Sequence, residues 1–165
     1  MSLPELTMEE IEAADSVGVK LEMTEGLPTW EFHPTPRHQL LMQSILKSIR
    51  STRAAGCACL PISDVLVRFP DGSLKRPDIS IFCEAPKELD EAVNAVPGAV
   101  IEIVSKESRR KDYELNPPFY LKHGVLDVLV IDPIPGDVAW FTKQGRRDLK
   151  VPQTISLQCG CEAEI

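Results

Sequence analysis

No apolar run in this chain of 165 residues approaches the ~18 consecutive residues that a membrane-crossing helix needs, so a soluble protein with no membrane partner is expected. A secretory start is also missing. The first twenty residues carry Glu5, Glu9, Glu10, Glu12 and Asp15 in place of a basic start followed by an apolar stretch, which predicts a cytoplasmic location. There are no repeats, no low-complexity stretch and no internal linker, and the length fits one domain over residues 1–165. Positive charge is short as well: the net charge of −7 excludes a surface coated for nucleic acid, so any phosphate binding has to be local. The C-x₂₋₄-C spacing usual for zinc is lacking. The five cysteines occur as Cys57-Ala58-Cys59, Cys83 and Cys159-Gly160-Cys161, and are expected as small buried side chains in a reducing compartment, with a zinc site from the two pairs as the alternative.

Acids inside apolar strands are what the chain does have. Asp78 lies in Arg76-Pro77-Asp78-Ile79-Ser80-Ile81-Phe82 and Glu102 in Ala99-Val100-Ile101-Glu102-Ile103-Val104-Ser105. Strand alternation puts Asp78 on a face with Ser80 and Phe82, and Glu102 on one with Val100 and Val104. A buried carboxylate costs several kcal/mol unless it is compensated, by a cation, by hydrogen bonds or by a metal. Two carboxylates on neighbouring strands suit Mg²⁺ or Mn²⁺, hard ions held by one or two carboxylates plus water and phosphate. The plainer alternative is that Asp78 caps a turn and Glu102 pairs with an arginine. Glu22 is a third strand carboxylate. Four residues after Glu102 a basic segment begins, Lys106, Arg109, Arg110 and Lys111, either a solvated loop or a phosphate-binding one.

The rest of the chain reads as mixed α/β. A capping box at Thr7-Met8-Glu9-Glu10 predicts a short edge helix over about residues 8–15. Strands are expected at 19–23 and 29–32. Leu41, Ile45 and Ile49 at i+4 spacing predict a long helix over 37–55, packed on the sheet, with Gly56 as its C′ residue. Further strands are predicted at 57–60, 64–69 and 77–83, the last two joined by Pro70-Asp71-Gly72-Ser73, with a helical turn at 87–93. A helix is expected over about 118–123, with Asn116 as N-cap and Pro117 at N1. Strands at 126–131 and 138–142 should pair antiparallel, and 149–157 is weakly strand-like.

Three strand carboxylates suit metal-assisted phosphodiester hydrolysis, which a lysine nearby usually completes. The order Leu21-Glu22-Met23-Thr24-Glu25-Gly26, Pro36-Arg37-His38-Gln39, Arg76-Pro77-Asp78, Ile101-Glu102-Ile103-Val104-Ser105, Tyr120-Leu121-Lys122-His123-Gly124-Val125 and Ile131-Asp132-Pro133 resembles the Uma family of bacterial putative restriction endonucleases. The resemblance runs from about residue 19 to 142. It implies a PD-(D/E)xK nuclease-like fold (a restriction-endonuclease-like core with a central mixed sheet) acting on DNA, with Asp78 and Glu102 as ligands of Mg²⁺ or Mn²⁺, Glu22 as the auxiliary acid and His38 at the rim. Arg76, Lys106, Arg109 and Arg110 are the expected nucleic-acid contacts beside His38. The chain departs from the family at Asn116, which stands where a lysine is typical, and the residue two after Glu102 is Val104. Lys111 and Lys106 are the candidates for its replacement, Lys111 foremost. A catalytically impaired homologue serving as a binding or assembly module is the competing expectation, and a non-nuclease metal-dependent hydrolase a third. The resemblance also suggests a homodimer, with Trp140, Phe141 and Val151 as an apolar patch.

Overall fold

In a computed structural model that describes residues 6–52 and 56–165, the chain runs α1 (Met8–Ser16), β1 (Lys20–Thr24), β2 (Leu27–Glu31), α2 (Pro36–Ser48), β3 (Arg50–Ser51), β4 (Leu60–Ser63), β5 (Val67–Arg68), β6 (Leu74–Lys75) and β7 (Ile79–Phe82). It continues with β8 (Ala99–Ile103), a π-helical turn (Lys111–Leu115), α3 (Asn116–Lys122), β9 (Asp127–Asp132), β10 (Asp137–Thr142), β11 (Gly145–Lys150), β12 (Thr154–Ser156) and β13 (Cys161–Glu164). The central sheet has the order β11-β10-β9-β8-β7-β4 and is mixed: β8 and β9 are parallel, the other pairs antiparallel. Parallel neighbours need a crossover, and the π turn with α3 supplies it.

Strand alternation sorts the core into two layers. Ile79, Ile81, Ile101, Ile103, Leu129 and Ile131 face Met42 and Ile45 of α2, while Phe82, Val100, Val128 and Val130 face Phe119 and Tyr120 of α3. Both faces are covered, so β8 and β9 read as near-continuous apolar runs. Glu102 has the parity of Val100 and points into the α3 layer. A second sheet, β2-β1-β6-β5, carries Glu22 on β1 and Lys75 on β6. Glu25 and Gly26, both at positive φ, make the two-residue turn between β1 and β2. A third sheet, β12-β13-β3, lies against α2.

Several expectations change here. The long helix stops at Ser48, its thirteenth residue, because Ile49 is extended and Arg50–Ser51 pairs with Cys161 and Glu162 of β13. Its expected last turn, residues 53–55, lies outside the described residues. Residues 87–93 form no helix; Val93 makes a bridge to Val67 instead. The turn at Pro70–Ser73 joins β5 to β6, and the following strand, β7, belongs to the central sheet. Asn116 is not an N-cap. It has α-helical φ and ψ, and its N–H donates to the Lys111 carbonyl, so helix continues through the π turn. The cysteines are not all free thiols: Cys57–Cys83 and Cys59–Cys161 are disulfides, and Cys159 is a buried thiol beside them. Trp140 and Phe141 are half-buried; of the predicted apolar patch only Val151 is exposed. No helix among the described residues is long and apolar enough to cross a membrane.

Candidate active site

The register Ile79↔Ile101 continues to set Asp78 opposite Glu102, and each backbone holds the other's acid. The Asp78 N–H donates to Glu102 Oε2 at 3.1 Å, and the Ile103 N–H donates to Asp78 Oδ2 at 2.7 Å. Glu102 Oε1 accepts from Tyr120 Oη at 2.8 Å and from Asn116 Nδ2 at 3.0 Å, both delivered by α3. His38, in the first turn of α2, reaches Asp78 Oδ2 with Nε2 at 3.1 Å, and the Lys20 ammonium lies 3.5 Å from Asp78 Oδ1. These surroundings split the two acids. Burial pushes Asp78 up, but Lys20 and His38 outweigh it and hold the carboxyl down to about 2. Burial and the charge of Asp78 push Glu102 up to about 7.

Behind the pair sits a buried cationic knot. Lys75 has no exposed surface and donates to Asn116 Oδ1 at 2.9 Å, Thr24 Oγ1 at 3.0 Å and Glu22 Oε2 at 3.3 Å. Lys111 reaches the same Glu22 oxygen at 2.9 Å and also pairs with Glu31. Arg76 contributes its backbone, whose N–H donates to Glu22 Oε1 at 2.6 Å. Burial opposes the charge of Glu22, yet Lys111, Lys75 and Lys20 together hold its carboxyl well below the ordinary range. Burial likewise opposes Lys111, and Glu22 with Glu31 drives it well above. Asp112, closed off with Ser108 and facing Glu102, is pushed far up by that burial and that charge.

The structure gathers Glu22, Asp78, Glu102, Lys111 and His38 at one place. The expected nucleic-acid contacts are more dispersed. Arg76 lines a cleft of about 650 Å³ with His38, Asp78 and Lys106, but its guanidinium is engaged by Asp15 and Asp64. Arg109 is bound to Asp132 and Arg110 to Glu114, and both line a neighbouring cleft around Tyr113 that shares Lys106 with the first. Lys75, Lys20 and Tyr120 are the participants that sequence reasoning missed. Lys75 did leave a signal: it stands three residues before Asp78, in a segment that forms a strand.

The donor set fits a hard divalent ion. Asp78 Oδ1 and Glu102 Oε2 each keep open lone pairs, since the other oxygen of each acid takes two donors. Glu102 remains raised in spite of the cations nearby, so negative charge at the pair is under-compensated. An all-carboxylate donor pair matches the demands of Mg²⁺ better than those of zinc.

A mixed sheet with helices on both faces and an acid pair on adjacent central strands defines a protein of nuclease-like fold. The same fold occurs in a putative nuclease belonging to DUF820 from Anabaena variabilis ATCC 29413, which is 21% identical, with a TM-score of 0.61 over 82% of this chain and 80% of that chain. The family model of Uma2, putative restriction endonucleases, matches residues 8–159, and the chain belongs to that family. No curated protein matches it.

Proposed function

We propose that the protein is a metal-dependent DNA endonuclease of the PD-(D/E)xK type, in which Asp78 and Glu102 hold Mg²⁺ or Mn²⁺. The observation that carries this reading is the acid pair, in which the Ile103 amide fixes Asp78 and the Asp78 amide fixes Glu102, while Asp78 Oδ1 and Glu102 Oε2 each retain a lone pair. A bound Mg²⁺ supplies charge to polarise a phosphodiester and to acidify a water. The chain's own residues do the rest. His38 and the Ile103 amide fix the rotamer of Asp78; Tyr120 and Asn116 fix that of Glu102. Lys111, the more exposed of the two lysines on Glu22, is the cation assigned to the phosphate, and Glu22 positions it. Lys106 at the junction of the two clefts, with Arg109 and Arg110 beyond, gives DNA a basic path away from the acids.

The test is cleavage of plasmid DNA in Mg²⁺ by the parent and by Asp78→Ala. Cleavage by the parent that falls to background in the variant supports the reading; equal cleavage identifies a contaminant. A homodimer and a cytoplasmic setting belong to the same proposal, and a monomer mass by light scattering at micromolar concentration rejects the dimer. One observation favours the impaired homologue that only binds DNA: Asn116, where the family lysine is expected, is committed to Lys75 and Glu102, and both neighbouring lysines are ion-paired. Metal-dependent DNA binding without cleavage by the parent would select that reading.

A further inference from the structure

Away from the acid pair, three segments meet at a second cluster of ligating groups. Glu25 in the β1–β2 turn, Asp71 in the β5–β6 turn and His123 at the end of α3 each offer one carboxylate oxygen or imidazole nitrogen, all within 4.8 Å of one another. The two turns are tied together: Ser73 donates its N–H to Asp71 Oδ1 at 3.0 Å and its hydroxyl to Oδ2 at 2.9 Å, and accepts the Glu25 N–H at 2.9 Å. The imidazole is held by packing. Its ring centroid lies 4.5 Å from that of Phe119 and 5.8 Å from that of Phe69, and the side chain is only 10% exposed.

His123 Nε2 is buried and has no hydrogen-bond partner, although Asp71 Oδ2 lies 3.4 Å away. A buried polar atom in that state calls for an explanation. The gap exceeds the usual N–H···O range, but about 3.4 Å is the ligand-to-ligand edge of a tetrahedron whose bonds are about 2.1 Å, the length of zinc bonds to imidazole and carboxylate. We propose that Glu25, Asp71 and His123 form a zinc site, with water in the fourth position. Imidazole selects zinc over Mg²⁺ and Ca²⁺, and two carboxylates offset the charge of the ion. Lys122, 2.7 Å from Glu25 Oε1, has to swing aside; that pair is exposed on both sides and weak. A metal here joins the turn that follows the Glu22 strand, the turn that precedes Lys75, and the helix that carries Asn116 and Tyr120. The site therefore braces the cationic knot without touching it.

The test uses the full chain with disulfides intact, in an Asp78→Ala background that removes the acid pair as a competing site. Titration with Zn²⁺ against a chromophoric chelator should show one ion bound, unaffected by millimolar Mg²⁺. His123→Gln and Glu25→Gln should each weaken it at least about tenfold, since even outer-shell changes cost that much. Co²⁺ in place of zinc should give visible bands without the thiolate charge-transfer absorption that the cysteine cluster would produce. Zinc should also raise the thermal midpoint of the parent and not that of His123→Gln, whose fold circular dichroism checks. No binding at micromolar zinc, an unchanged affinity in both folded variants, or a thiolate band overturns the proposal.

Discussion

Asp78 and Glu102 are a like-charged pair whose surroundings divide the labour of protonation. Asp78 is ionised throughout the neutral range, while Glu102 keeps a proton up to about pH 7. A carboxyl raised on folding binds its proton more tightly in the native state, so its contribution to stability is fully present below about pH 4.3 and is lost as pH rises through 7. Asp78, lowered on folding, contributes in the opposite sense, losing its share as pH falls through about 2. The metal-free protein should therefore show a thermal midpoint that declines from pH 5 to pH 8, and Glu102→Gln should flatten that decline. Mg²⁺ affinity, measured calorimetrically, should rise over the same interval, because the ion displaces the Glu102 proton. The cations divide too. Lys111→Ala should lower single-turnover cleavage by about 10²- to 10³-fold, the usual cost of losing one aimed cation, while Lys122→Ala, at an exposed pair with Glu25, should leave the rate unchanged. Lys75→Met removes a buried partner from Glu22 and Asn116 and should destabilise the fold by ~3 kcal/mol or more, read by urea titration.

Among the elements, the π turn at Lys111–Leu115 does the most to build the site. Residues five apart on an α-helix point about 140° away from each other. Closing the turn from Asn116 N–H to the Lys111 carbonyl brings both side chains to one side, Lys111 onto Glu22 and Asn116 onto Lys75 and Glu102. Pro117 and Pro118 have no N–H to donate, so the turn that precedes them has to be satisfied without them. Deleting exposed Glu114 should restore α register and swing Lys111 off Glu22. Cleavage should then fall at least about tenfold with helical circular dichroism intact; an unchanged rate would detach the π turn from function. This element was not legible beforehand. Asn-Pro-Pro carries the local signal of an N-cap, and only the commitment of the Asn116 amide to Lys75 and Glu102, residues distant in sequence, cancels it. The early end of α2 has the same cause: β13 claims Arg50 and Ser51, more than a hundred residues away in sequence, and the apolar periodicity of Leu41, Ile45 and Ile49 gave no hint of it. By contrast, Asp78 just before β7 and Glu102 within β8 were legible because a charge in an apolar, alternating run is visible within five residues.

For the whole molecule, sequence order carried the family and the α/β class, since the blocks around Glu22, Asp78 and Glu102 fall along three strands that the fold brings together. It did not carry the cysteines. Cys57, Cys59, Cys83, Cys159 and Cys161 arrive from three segments and cluster where the third sheet meets the central one, a meeting no spacing rule encodes. Alkylation of the denatured, unreduced protein should trap one thiol, Cys159, of the five. Reduction should lower stability by about 3 to 5 kcal/mol per bridge, the scale for loops of this length, seen as a fall in the urea midpoint. Five thiols in protein quenched directly from cells would mean that the bridges form only outside the reducing compartment.

The reciprocal clasp of the acid pair has a consequence for how such a protein changes over generations. Asp78 is oriented by the amide of Ile103, and Glu102 by the amide of Asp78, so the donors belong to the main chain and no substitution other than proline deletes them. The anionic half of the site is inherited with the strand pairing itself. The cationic half is assembled from side chains on separate elements, Lys20, Lys75 and Lys111, each replaceable by a single codon change. Under the proposed nuclease reading, activity is the part that single substitutions among these lysines would tune, while the acids wait in place.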